Sequence, residues 1–143
     1  TFHALSLCKK HIKPNESFAV FFPDDLIQKE DVEKLISHPL AVGVKHIEDP
    51  RQFGVVKINN ENNVVYINEK PEHPESNLVL ANGCVLTTEI FKYPPPDHKT
   101  HEQYLSLAIH KMAQDYKIHA VTLNFWFPIG TSEDLKRAEK IVS

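Results

Sequence analysis

Apolar and polar positions change period several times along the 143 residues. Ala4, Leu5, Leu7, Cys8, His11 and Ile12 recur at helical spacing, which predicts a helix over residues 1–13. Pro14-Asn15-Glu16 breaks it. Phe18 to Phe22 is an unbroken apolar run, the length and composition of a buried parallel strand, and it ends in Pro23-Asp24-Asp25. Residues 29–37 read as a short helix with Val32, Leu35 and Ile36 inward, stopped by His38-Pro39. Residues 41–47 read as a strand and 48–51 as a turn. Residues 53–58 and 64–68 form a hairpin across the polar stretch Asn59–Asn63. A strand over 77–86, a helical turn over 87–91 and the stop Tyr93-Pro94-Pro95-Pro96 follow. Thr100 and Gln103 have capping-box spacing ahead of a helix running to about Tyr116, with Tyr104, Leu105, Ala108, Ile109 and Met112 on one side. Residues 118–123 read as a strand and 125–130 as a packed aromatic segment. Thr131-Ser132-Glu133-Asp134 caps a last helix that turns Leu135, Ala138 and Ile141 or Val142 to the core. Alternating strands and helices with one inserted hairpin predict an α/β fold with a mixed, mostly parallel sheet and flanking helices.

Composition narrows the class. The apolar fraction of 41% and charged fraction of 24% are those of a soluble globular domain, read as one unit over residues 1–143. A net charge of −3 argues against a nucleic-acid partner, although the nine histidines soften it below neutral pH. No apolar run is long enough to cross a membrane and no signal-peptide pattern occurs, so a cytoplasmic protein without a membrane partner is expected. Cys8 and Cys84 both lie in apolar patterns and read as buried thiols. Thr1 is not a methionine and the helical pattern starts at once, which suggests an incomplete domain, cut or processed from a longer chain. A homo-oligomer is left open.

The candidate chemistry sits at strand ends. Glu69-Lys70-Pro71 closes a predicted strand, where polar groups can be held at the lip of a cleft. A lysine suits a phosphate and a carboxylate suits sugar hydroxyls; a solvated pair in an ordinary turn is the other reading. Asp24-Asp25, after an apolar strand, could hold a divalent cation through hard oxygens or could simply start a turn. Gly54 inside a strand marks a close approach or a bulge. With only four glycines the chain has no Gly-rich phosphate loop. The spacing of His98 and His101 does not make a zinc site, and no serine sits in a nucleophile elbow.

Taken in order, Thr1-Phe2-His3-Ala4-Leu5, Phe18 to Asp25, Phe53-Gly54-Val55-Val56, Glu69-Lys70-Pro71, Ser76-Asn77-Leu78, Val85 to Phe91 and Ile129-Gly130-Thr131-Ser132-Glu133-Asp134-Leu135 resemble the sugar-phosphate nucleotidyltransferases. The likeness is greatest to glucose-1-phosphate uridylyltransferases and thymidylyltransferases, and it covers the whole chain. It implies the C-terminal part of a nucleotide-diphospho-sugar transferase fold. The implied reaction joins a nucleoside triphosphate to a sugar 1-phosphate and releases pyrophosphate, with Mg²⁺ as cofactor. By the same resemblance Asp24 would bind the metal, with Asp24 and Lys70 serving catalysis. Lys70 would also contact the sugar phosphate and Glu69 the sugar hydroxyls. Asn77, the backbone near Gly54 and Glu102 would contact substrate, and His3 stands where a base-contacting Gln or His is usual. Such chemistry needs positioning and charge neutralisation more than covalent help.

The sequence departs from the pattern in three ways. The Gly-rich loop that holds the triphosphate is absent, so the chain alone is expected to be inactive. Pro128 stands where a second metal-binding aspartate is usual. Asn82 replaces an expected glycine, and Phe2 a small residue. Two other readings stay open: a non-catalytic sugar-phosphate-binding or regulatory relative, which Pro128 favours, and a metal-dependent nucleotide-sugar glycosyltransferase, which Glu69-Lys70-Pro71 disfavours.

Overall fold

The computed structural model describes residues 1–96 and 102–142. Its main sheet has the order β5-β4-β6-β3-β7, with β1 also paired to β6. The strands are β1 (Ser17–Val20), β3 (Ala41–His46), β4 (Gly54–Ile58), β5 (Val64–Glu69), β6 (Leu78–Thr87) and β7 (His119–Thr122). A second, two-stranded sheet pairs β2 (Asp25–Ile27) with β8 (Trp126–Pro128). The helices are α1 (Phe2–Cys8), α2 (Lys29–Ile36), α3 (Leu105–Met112) and α4 (Ser132–Val142), and short 3₁₀ turns follow α1, precede β4 and follow β6.

Period-two alternation in the strands builds two cores. Val42, Val44, Cys84, Leu86 and Ala120 face one side, where α1 and α3 cover them with Phe2, Leu5, Ala108, Ile109 and Met112. Ala41, Val85 and Val121 face the other side and meet Leu35 of α2. Leu35 is wholly buried, so truncating it to alanine should cost about 2–5 kcal/mol. In the hairpin, Asn59 Oδ1 accepts from Glu61 N–H at 3.0 Å and Asn63 N–H at 2.9 Å, and Asn62 takes a φ of 58°.

The mixed sheet and flanking helices match the expectation, but parallel pairing is confined to β3 with β7 among the described residues. The other pairings in this sheet are antiparallel: β4 with β5 through a hairpin, and β1, β3 and β4 with β6 through longer connections. β1 is correspondingly not a buried parallel strand. It runs antiparallel to β6 and is half exposed, with polar Ser17 at its start.

Other differences are local. Cys8 is exposed, since α1 turns only Phe2 and Leu5 fully inward. Ile36 is exposed at the end of α2, although Leu35 beside it is buried. α3 ends at Met112, and the chain to Tyr116 continues as turns in which the Asp115 and Tyr116 N–H groups return to the Met112 carbonyl. In α4 only Ala138 is buried, while Leu135, Ile141 and Val142 face outward. The Thr131 cap forms: Asp134 Oδ2 accepts from Thr131 N–H and Oγ1. Thr100 and His98–His101 lie outside the described residues.

Candidate active site

β6 is ten residues long, and two different strands share one of its edges. β4 pairs at Val79, and β1 pairs from Cys84 to Thr87. Between them the edge is open at Leu80 to Gly83, and a cleft of about 390 Å³ lies over this split. The second sheet, with Asp24 just ahead of it, forms one wall through Asp25, Trp126 and Pro128, and Glu102, Tyr104 and the start of α3 form another.

Glu69 and Lys70 enter at the end of β5. Gly54 lies opposite Glu69, where an added Cβ would sit 3.0 Å from Glu69 Oε2. Gly54 is therefore a close approach, and the irregularity of this hairpin falls instead between Lys57 and Ile58. Glu69 Oε2 also accepts from Ser106 Oγ at 2.5 Å, which fixes the carboxylate from the helix side. Ser106 is buried, and the sequence reading missed it; its one local signal is a hydroxyl placed among the apolar residues of α3. Lys70 N–H donates to Phe53 O at 3.0 Å, and its ammonium lies 5.1 Å above the centre of the Tyr104 ring. Lys70 has a φ of 46° although proline follows it, and pre-proline residues normally stay extended. Left-handed backbone at a non-glycine residue is costly and clusters at functional sites.

The opposite wall is acidic. Asp24 is exposed on the cleft, and its carboxylate makes no hydrogen bond or ion pair among the described residues. Its carbonyl accepts from Ile129 N–H at 2.9 Å. Asp25 is half-buried and accepts from the Trp126 indole N–H at 2.9 Å. Burial raises its carboxyl pKa against that hydrogen bond, and the charge of Asp24 pushes the same way. One free carboxylate on a solvent-open wall fits a hard cation that takes its remaining oxygens from substrate and water. Among the described residues no three His, Cys, Asp or Glu side chains converge on one point. Cys84 also lines the cleft, but burial pushes its thiol up to about 12, which leaves it no thiolate character.

Thus Asp24, Gly54, Glu69, Lys70 and Glu102 share one cleft. Two expected site residues lie off it. Asn77 is exposed and bonds His46 Nδ1 through Oδ1 at 2.7 Å. His3 is exposed on α1, whose inward side carries Phe2 and Leu5.

The family model of nucleotidyl transferases matches residues 1–143, the whole chain. The chain belongs to the nucleotidyl transferase family. Among curated relatives it is 33% identical over 119 residues to the bifunctional protein GlmU of Methanocaldococcus jannaschii, a match covering 81% of this chain and 29% of that one. The chain spans about a third of the length of the GlmU relatives it matches. In fold it is similar to UDP-glucose pyrophosphorylase complexed with UDP-glucose (TM-score 0.85, 23% identity, 98% of this chain and 60% of that one). It is also similar to the UTP-bound enzyme UGPase of Acinetobacter baumannii (TM-score 0.80, 22% identity, 98% and 55%). The nucleotidyl transferase assignment agrees with the resemblance drawn from the ordered motifs. Among the described residues no helix is long and apolar enough to cross a membrane.

Proposed function

We propose that this chain carries the sugar 1-phosphate side, and one metal carboxylate, of a sugar-1-phosphate nucleotidyltransferase. The observation that carries this reading is the placement of Glu69 and Lys70 across one cleft from Asp24. Lys70 would meet the sugar phosphate as a point charge, and Glu69, held by Ser106, would accept from sugar hydroxyls. Asp24 would hold Mg²⁺ through a carboxylate oxygen. Mg²⁺, when bound, supplies charge neutralisation at the reacting phosphates. A phosphate oxygen of the sugar 1-phosphate attacks the α-phosphorus of the nucleoside triphosphate. The new P–O bond joins sugar phosphate to nucleotide, the α–β bridge breaks, and pyrophosphate leaves. Trp126 and Phe53, edge to face at 5.4 Å, give the cleft an apolar flank.

The 143 residues contain no Gly-rich phosphate loop, so on this reading the chain by itself binds sugar phosphate without turning it over. Pro128, opposite Asp25 in the second sheet, favours a second reading, a non-catalytic sugar-phosphate binder. An NMR titration with glucose 1-phosphate, with and without Mg²⁺, and with UTP alone tests the proposal. Saturable shifts at Glu69 and Lys70, with Mg²⁺ moving Asp24, are expected. A chain that responds to neither ligand is not the sugar half of such an enzyme. Adding Mg²⁺, UTP and glucose 1-phosphate together should yield no UDP-glucose; product that disappears in Asp24→Ala would show that the chain is catalytic alone.

A further inference from the structure

The Asn82 side chain is 1% exposed, and both ends of its amide are spent on one backbone residue. Its Oδ1 accepts from Phe22 N–H at 2.8 Å, and its Nδ2 donates to Phe22 O at 2.9 Å. The β1–β6 ladder ends at Val20 opposite Cys84, and continuing that register would set Phe22 opposite Asn82. The ladder cannot continue, because β6 is distorted there. Gly83 takes a φ of +93°, and the β3 register slips between Val42 and Val44. An added Cβ on Gly43 would lie 2.6 Å from Asn82 O, and one on Gly83 would lie 2.7 Å from both Phe21 and Leu35. The two glycines thus allow the backbone to bulge, and the bulge points the Asn82 side chain at the departing β1 chain. Its primary amide, with donor and acceptor side by side, stands in for the missing strand partner.

We propose that Asn82 is the positioning residue for Asp24. Asp24 follows the clamped Phe22 by two positions, and Pro23 between them has its φ locked, so fixing Phe22 fixes where the carboxylate leaves the sheet. Ile129 N–H holds Asp24 O from the other side. A glycine at position 82 would leave both Phe22 groups without this partner. This inference rests on the reading of Asp24 as a metal carboxylate, and it adds the group that aims it.

The test is a Mn²⁺ titration of the full chain followed by NMR line broadening, in the wild type, Asn82→Ala and Asn82→Asp. Mn²⁺ is expected to broaden the Asp24 and Asp25 amides in the wild type. Asn82→Ala should need at least tenfold more Mn²⁺ for the same broadening, with the α3 amide shifts unmoved. Asn82→Asp keeps the acceptor for Phe22 N–H and loses the donor to Phe22 O, so it should fall between; it decides the matter if the alanine variant does not fold. Equal Mn²⁺ response in all three proteins overturns the role of Asn82 while leaving Asp24 as the metal carboxylate. Loss of Mn²⁺ response only together with displaced α3 shifts overturns it too, as general damage to the fold. No broadening at Asp24 in the wild type removes the metal from the proposed function, and the role of Asn82 falls with it.

Discussion

At Lys70 the backbone is left-handed and a proline follows, two features that local preference alone would not combine. The conformation places the ammonium over Tyr104 at the cleft, so its cost is borne where a charge is aimed. Glycine at this position would remove the strain and the charge together. Lys70→Gly should therefore leave stability unchanged or raise it by up to about 1 kcal/mol, since relief of the positive φ opposes the entropy of an added glycine. The same variant should bind glucose 1-phosphate more weakly by roughly 1.5–3 kcal/mol, the range for a lost charge-assisted hydrogen bond. Urea melts and calorimetry on one protein preparation read both. A large loss of stability would show that Lys70 is a structural residue, and unchanged affinity would remove it from the site. Ser106→Ala should weaken the same ligand severalfold through Glu69, whose carboxylate it orients.

Elements tell the same story of local pattern overruled by neighbours. The hairpin, α2 and the strand cores were legible because period-two and helical spacing decide which side chains can be buried together. The apolar run Phe18–Phe22 was misleading, because hydrophobicity alone cannot say whether a strand is central or an edge, or which way its partner runs. The Trp126–Asp25 and Asn82–Phe22 bonds span 101 and 60 residues of sequence, so no local spacing could announce them. Asn82 was visible only as a departure from a resembling pattern, and its use became clear only with the bulge. Gly83 is the hinge of that bulge: Gly83→Ala combines positive φ with contacts at 2.7 Å to Leu35 and Phe21. It should cost about 1–3 kcal/mol in a urea melt, and a neutral result would mean that β6 can straighten. The α3–β5 contact has its own signature. His110 Nδ1 pairs with Ile67 N–H at 3.2 Å, which requires an unprotonated ring nitrogen. Burial holds the His110 pKa below its ordinary 6.5. The unfolded chain therefore takes up the proton first. The stabilising contribution is complete above pH 6.5, is lost as pH falls through 6.5 toward the folded value, and levels off below that. The urea midpoint should drop between pH 7.5 and 5.5, and the drop should be smaller in His110→Gln. Burial lowers the His119 pKa as well, so the variant should keep part of the slope.

On the scale of the whole molecule, two surfaces stand unmatched to the rest of the design. β1 bonds β6 along one edge, and its other edge has no strand partner among the described residues. Phe21 beyond it is exposed, and Ile36 at the end of α2 is 53% exposed. On α4, Leu135, Ile141 and Val142 all face outward, although the helix is amphipathic in sequence. Open strand edges template pairing with other chains, and apolar side chains gathered on one helix face favour association. Scattered single apolar residues would need no explanation; a bare edge and an outward apolar helix face in one small protein do. The net charge of −3 is too small to keep copies apart at ordinary salt. The chain should therefore self-associate at high micromolar concentration, read by light scattering as a mass that rises with concentration. The two surfaces can be separated. A lysine at Ala19 on β1 would block edge pairing and leave α4 untouched, whereas Leu135→Glu with Ile141→Lys would cover the helix face and leave the edge open. If only the β1 change restores a monomer, the contact is strand to strand; if only the α4 pair does, it is helix to helix. A wild-type chain that stays monomeric through millimolar concentration would mean that these surfaces are too small or too polar at their margins to hold a partner.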